Sequence, residues 1–324
     1  MYALNLSFSS LSHVIKGQAL ISSLVVELLN INNYNDALTY LKSRSILSTN
    51  SADIEDVEIS IKNFYIKTIQ KISGYTSADR MIKKDLVDLY IFRILVNEFK
   101  SIISSIYNST PINEKLGQFD VFSNLVRQKV NSLEEAKNLI TEYHFRNALE
   151  QAVSSGKNLK NILNSIDLYF AKYLHQILLK NKDNWANRLW SIYCGYFDYY
   201  SIVMALELKT RESFELTCSI PEEYLENLRN NEDVVGNLIR ISTVLGLDIK
   251  SDNVAEILEA IRIMVRRIAR KNSYEMFLKE LPSSPNLLIS VLELLYLDLT
   301  DVVRILNSLY LRKNQEYLKK IVSV

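Results

Sequence analysis

Four aspartates have a spacing that could do chemistry. Asp85 and Asp88 stand three residues apart, as do Asp298 and Asp301. On a helix each pair shares a face, where two carboxylates can hold a divalent cation together with a diphosphate. Helical enzymes of that kind also carry adjacent aspartates, and this chain has none. The simpler reading is that these acids sit in the first turns of helices, where the positive end of the helix dipole favours them. On that reading, replacing Asp198, which heads a similar stretch, by Ala lowers stability by about 1 kcal/mol or less.

The remaining reactive residues add no catalytic site. His13, His144 and His175 are the three histidines, and none makes a zinc-like spacing with Cys194 or Cys218. Nothing in the sequence brings a serine, a histidine and an acid together as a triad. Seven glycines leave little room for a phosphate-binding loop. The two cysteines suggest a reducing compartment and ordinary packing roles. The sequence therefore predicts no catalytic residue, no cofactor and no metal. Tyrosine is common, at 19 residues, and Tyr193, Tyr196 and Tyr200 fall on helical spacing. They read first as a core edge with buried rings, and second as a partner surface.

The elements that carry these residues are helices. Of 324 residues, 48% are hydrophobic, with only 7 Gly and 4 Pro. A composition so poor in turn residues argues for long helices and short loops. Apolar positions predict helices over residues 12–30, 34–43, 52–72, 78–107, 119–130, 159–179, 185–209, 222–229, 234–247, 254–281 and 286–320. Gly74 reads as a C-cap, Ser132 with Glu135 as a capping box, and residues 282–285 as a loop. The longest apolar run, Leu287 to Leu297, is broken by Glu293 and falls short of the length that crosses a bilayer. The first 17 residues show no signal-peptide pattern. The net charge is +1 and is nearly balanced along the chain, so no nucleic-acid footprint is expected.

The sequence also repeats. Stretches led by Asp88, Asp198 and Asp301 share a layout and recur at intervals of 110 and 103 residues. Pro111 lies 23 residues after Asp88, Pro221 lies 23 after Asp198, and Val324 lies 23 after Asp301. Residues 61–67, 166–172 and 261–267 align apolar and aromatic positions, and each segment closes on a base. These matches predict three related helical units, 1–110, 111–220 and 221–324.

Three helical units, each closing on an acid-led helix, resemble the funnel-shaped central-stalk component of archaeal A-type ATP synthases and its relative in vacuolar ATPases. That family's motif runs from an acid to a terminal base through a leucine-rich stretch. Asp198 to Lys209 and Asp301 to Arg312 match it in length and ending, and Arg93 supplies a base in the stretch led by Asp88. The opening residues Val14 to Gly17 and Leu28-Leu29, then Asn35 to Leu41, are similar to the family's first two helices. The motif asparagine is replaced by Ile91, Ser201 and Arg304.

The resemblance implies an all-α fold of three domains about a pseudo-threefold axis, shaped as a funnel. It implies a non-catalytic central-stalk subunit without cofactor or metal, peripheral to the membrane on its cytoplasmic side. Such a subunit joins the central stalk to the membrane rotor ring and transmits torque for ion-coupled ATP synthesis or hydrolysis. Asp88, Asp198, Asp301, Lys209 and Arg312 are then equivalent motif positions, structural first and interfacial second. Two rival readings remain at this level. One is a helical scaffold or adaptor with a concave binding surface; the other is a metal-dependent enzyme built on Asp85 and Asp88.

Overall fold

The computed structural model describes residues 23–73, 80–155, 158–182, 186–209, 213–280 and 284–324. His13, the 14–17 stretch, Gly74, Pro282 and Ser283 lie outside them. The described residues form helices and no strand, as the composition requires.

In chain order the α-helices are α1 (Ser23–Leu29), α2 (Tyr34–Ser43), α3 (Ile54–Ser73), α4 (Arg80–Tyr107), α5 (Ser123–Arg127), α6 (Leu133–Leu139) and α7 (Tyr143–Ser155). They continue with α8 (Leu159–Lys180), α9 (Trp190–Val203), α10 (Ser213–Leu216), α11 (Glu222–Arg229), α12 (Val234–Val244), α13 (Val254–Lys279), α14 (Pro285–Tyr310) and α15 (Gln315–Ile321). A π-helical turn, Met204–Leu208, extends α9. The chain divides into two compact units. One comprises Met1–Asp167 and Leu281–Val322 with Val324; the other comprises Leu168–Glu280 with Ser323. These units follow packing. They do not coincide with the segments 1–110, 111–220 and 221–324, which rest on repeated residue types.

Helix starts follow the cap chemistry of the sequence. Ser132 Oγ accepts the Glu135 N–H at 3.2 Å while Glu135 Oε2 accepts the Asn131 N–H at 3.1 Å, so two donors at the helix start are met. Ser284 caps α14 and Pro285 is its first residue, where the missing N–H costs nothing. The loop read at 282–285 is therefore shorter at its end than expected. The helix expected over 119–130 is short. Phe119 takes an extended backbone between two 3-10 turns, and α5 supplies only residues 123–127. The helix expected over 286–320 stops at Tyr310, because Arg312 turns left-handed and Asn314 caps α15 anew.

In the first unit α14 is the central element. It packs against α1, α2, α3 and α4, and α15 folds back on it. Residues 286–295 are buried on every side, and from Tyr296 onward a half-buried strip through Thr300, Val303, Arg304 and Asn307 runs along one face. Glu293, Asp298 and Asp301 are among the buried residues. Glu293 is 0% exposed, and its Oε2 accepts from Arg93 Nη1 at 2.6 Å and from Tyr90 Oη at 2.7 Å. The guanidinium lies 3.7 Å over the Tyr296 ring, so the cation is met by a carboxylate and by a π face. At the helix end Tyr310 meets Tyr34 edge to face at 5.3 Å, and burial pushes the Tyr34 hydroxyl up to about 12.

Phe92 and Phe99 of α4, Phe119 and Phe122 of the 3-10 segment and Phe145 of α7 form a ring cluster. Phe145 lies 5.0 Å from Phe92, 5.2 Å from Phe99 and 5.3 Å from Phe122, all edge to face. Phe119 meets Phe122 at 6.2 Å. This cluster explains the broken 119–130 helix: two rings three residues apart are drawn into one core, with 3-10 geometry between them.

In the second unit α9 packs against α13, α10 and α11, and α12 packs against α13. Gly195 sits where α9 meets α13. A Cβ added there would lie 3.3 Å from a Val265 methyl, so the glycine permits the close approach. Tyr193 and Tyr196 are buried, and the Tyr196 hydroxyl is buried with its ring, so they lie in the core and not at a core edge with wet hydroxyls; Tyr200 is half-buried. His175 of α8 is buried against Trp190 and Phe197, with ring centroids 5.4 and 5.0 Å away. That burial holds its pKa below 6.5, with the more distant Glu215 opposing.

Removing one side of the buried pair, as in Arg93→Met, lowers the unfolding free energy by about 3–5 kcal/mol in urea titration, because Glu293 is left charged and dry. The double variant Arg93→Met with Glu293→Leu recovers much of that loss. For His175 the folded state binds its proton less readily than the unfolded state. Stability is therefore full above pH 6.5 and falls as pH drops through the lowered folded pKa. His175→Phe flattens that acid limb in melts run from about pH 7.5 downwards.

Candidate functional site

Asp88, Asp198 and Asp301 are not at helix starts. Each lies well inside its helix, in α4, α9 and α14 respectively. The apolar residues before each acid continue the helix backwards, so the dipole of a first turn does not act on them.

What the motif shares is its end. Lys209 and Arg312 both adopt left-handed backbone, with φ of 54° each. Each lies eleven residues after its acid and marks where the motif helix stops. Ser109 at the end of α4 has the same φ of 54°. The hydrogen bonds match as well. Ser109 N donates to Ile106 O and Thr110 N to Ser105 O; Arg312 N donates to Leu309 O and Lys313 N to Ser308 O. This is the Schellman pattern that satisfies the last carbonyls of a helix. The second copy closes differently, with Lys209 N donating to Met204 O across the π turn.

Counting back eleven residues from Ser109 gives Glu98. The three carboxylates in one register are therefore Glu98, Asp198 and Asp301, and Asp88 stands ten residues too early. The neighbouring residues agree. Four residues after each carboxylate comes Ile102, Ile202 or Ile305, all 0% exposed. Ser105 and Tyr107 recur as Ser308 and Tyr310. The signal is present in the sequence, with Glu in place of Asp in the first copy.

Each of these acids is held inside. Asp198 is 1% exposed and reaches across to residues 217–219. Its Oδ1 accepts from Cys218 N at 2.8 Å, Ser219 N at 3.0 Å and Thr217 Oγ1 at 3.0 Å. Asp198 Oδ2 is buried and accepts no hydrogen bond among the described residues. The Glu98 carboxylate is paired with Lys62 of α3 and likewise leaves Oε2 buried without a hydrogen bond among the described residues. Asp301 is 0% exposed. In contrast, Lys209 and Arg312 are exposed and carry their charge at the helix ends.

Asp88 belongs to a different feature. It lines a cavity of about 290 Å³ with Glu142, Asp120 and Lys67 over a floor that includes Ile91, Leu95 and Phe145. Burial raises its pKa, and the neighbouring Glu142 adds to that rise. Asp85, its i−3 partner, turns instead to His144, whose Nε2 is 3.2 Å from Oδ1. His144 itself lines the cavity with Asp88. Among the described residues no group of three or more His, Cys, Asp or Glu is placed to hold a metal ion. No helix among them is long and apolar enough to cross a membrane.

The cysteines depart from the expected separate packing roles. Cys194 and Cys218 are joined as a disulfide, with Cα atoms 5.6 Å apart. Cys194 precedes Asp198 by one helical turn, so the disulfide and the carboxylate grip the same 217–219 segment from one face of α9.

No protein-family model matches the chain, and no curated protein matches it.

The geometry predicts that Asp198 contributes more than the helix-dipole reading implies. Asp198→Ala removes three hydrogen bonds to a charged acceptor and leaves two backbone donors unmet. It should lower stability by about 2–4 kcal/mol in chemical denaturation. Lys209→Gly, which relieves a left-handed backbone, should raise stability or leave it unchanged.

Proposed function

We propose that this chain is a non-catalytic coupling subunit of an A/V-type rotary ATPase, joining the central stalk to the membrane rotor ring. The observation that carries the reading is the helix end repeated three times: a carboxylate, a buried isoleucine four residues later, and a left-handed cap eleven residues later, at Glu98, Asp198 and Asp301. A tripled helix end is what a body built from three related helical units requires, and the three units are proposed to surround a pseudo-threefold axis as a funnel. The role asks for stiffness, two docking faces and no covalent chemistry. The buried Arg93–Glu293 pair, the close α9–α13 contact at Gly195 and the phenylalanine cluster supply dense, incompressible packing within the two compact units, and each joins residues of two different repeat segments. In this role the chain lies on the cytoplasmic side of the membrane and transmits torque for ion-coupled ATP synthesis or hydrolysis.

The test is retrieval of the tagged full chain from its own cells in mild detergent. The expected outcome is co-purification with a proteolipid rotor ring and central-stalk subunits, with density for a single copy centred under the ring. Recovery only with soluble peptide-bearing partners would favour the adaptor reading instead. Magnesium with a diphosphate should leave the melting temperature unmoved; a clear rise would count for the enzyme reading, since a ligand that binds only the native state stabilises it.

A further inference from the structure

We propose that Cys194–Cys218 is a redox-addressable site at which an external dithiol opens one of two ties holding the 217–219 turn of the second unit. Nothing in this inference depends on the rotary-ATPase reading.

Access decides which sulfur is attacked. Cys218 is exposed, on the irregular segment between α10 and α11, whereas Cys194 is half-buried on α9. Thiol–disulfide exchange needs a thiolate to reach a sulfur directly, so Cys218 Sγ is the point of entry. The attacking thiolate bonds to Cys218 Sγ, the Cys194–Cys218 bond breaks, and Cys194 leaves with the electron pair and takes a proton from water. The second thiol of the same dithiol then displaces Cys218. Two electrons pass to the protein, and the dithiol is released as its own disulfide.

The second tie remains after reduction. Asp198 Oδ1 still accepts from the Cys218 and Ser219 amides and from the Thr217 hydroxyl. Thr217 Oγ1 is also within 3.2 Å of Ile220 O, which closes the turn just before the Pro221 cap of α11. The covalent tie closes a loop across a sequence separation of 24 residues and so removes freedom from the opened state. The carboxylate tie acts within the folded state. One oxidised and one ionic tie on the same three residues mean that reduction loosens the turn without releasing it. Loss of both frees the turn and the start of α11 together.

The experiment uses the full chain. Air-purified protein, denatured in iodoacetamide without reductant, should carry no alkylated cysteine. After incubation of the folded chain with millimolar dithiothreitol, it should carry two. Amide exchange at Cys218 and Ser219 should rise about tenfold or more on reduction, with the amides of α12 and α13 unchanged. In Asp198→Asn the oxidised chain should keep most of its protection there, and the reduced chain should lose nearly all of it. Cys194→Ser, which keeps the carboxylate and removes the bond, should reproduce reduced wild type and carries the test if Asp198→Asn fails to fold. Free thiols in the air-purified chain, resistance of the folded chain to dithiothreitol, or unchanged exchange in Cys194→Ser would each overturn the proposal.

Discussion

A charge buried with no water must find an opposite charge, and in the first unit it finds one two hundred residues away. Glu293 sits at the middle of α14 with no exposure, and its partner Arg93 lies on α4. An unpaired carboxylate there would cost several kcal/mol, so α14 is not free to rotate or slide relative to α4. The first half of α14 is buried on all sides and presents no face of its own. The Arg93–Glu293–Tyr90 contact, with Tyr296 beneath the guanidinium, sets its rotation. The return of residues 285–321 to a unit begun at the other end of the chain is fixed by this buried polar contact in an apolar interface, with Asn307 donating to Glu58 and Gln315 to Ile31 nearer its end. An apolar pair of similar volume would hold the helices at least as strongly, but would fix their register less sharply.

The three motif carboxylates solve the same problem on different scales. Asp198 meets two backbone amides and a hydroxyl, and Glu98 meets Lys62. In both cases the acid ties its helix to a segment that is distant in sequence. Each motif helix then ends after the same number of residues in a left-handed cap. Left-handed non-glycine residues close helices outside the motif as well, at Ser45, Lys129 and Asn231, so the cap is a common helix end in this fold and only its count from the acid belongs to the motif. The cap is imposed by the helix and its neighbours, and the residue there follows.

Much of the helical content was legible because long helices with few glycines and prolines leave a strong period. The spans of α2, α11 and the body of α13 follow the apolar spacing closely. The interruptions were not legible. Phe119 and Phe122 have helical spacing, yet their rings are claimed by a cluster with Phe99 and Phe145, and only the packed structure contains that competition. Arg312 reads as the last residue of a motif, and its left-handed backbone cannot be inferred from an arginine. The first motif acid was misplaced for a related reason. Asp88 shares its residue type with Asp198 and Asp301, and its distance to Pro111 with theirs to Pro221 and Val324. Glu98 shares the geometry. Residue type is the weaker guide here, because Asp and Glu both meet a buried donor and the helix end fixes the count.

The cysteine pair shows where spacing carries no information at all. A separation of 24 residues fits a disulfide, two free thiols or neither, and the choice depends on whether the 213–220 segment folds back over α9. Asp198 settles that. Its position one turn beyond Cys194 means that any segment whose amides it gathers passes within reach of the Cys194 sulfur. The carboxylate can therefore bring the two cysteines together before any bond forms, because three hydrogen bonds to a buried charge hold the turn in place while the sulfurs pair. Hence a buried aspartate in the motif, and not the count or spacing of cysteines, is the residue on which the local architecture of the second unit turns.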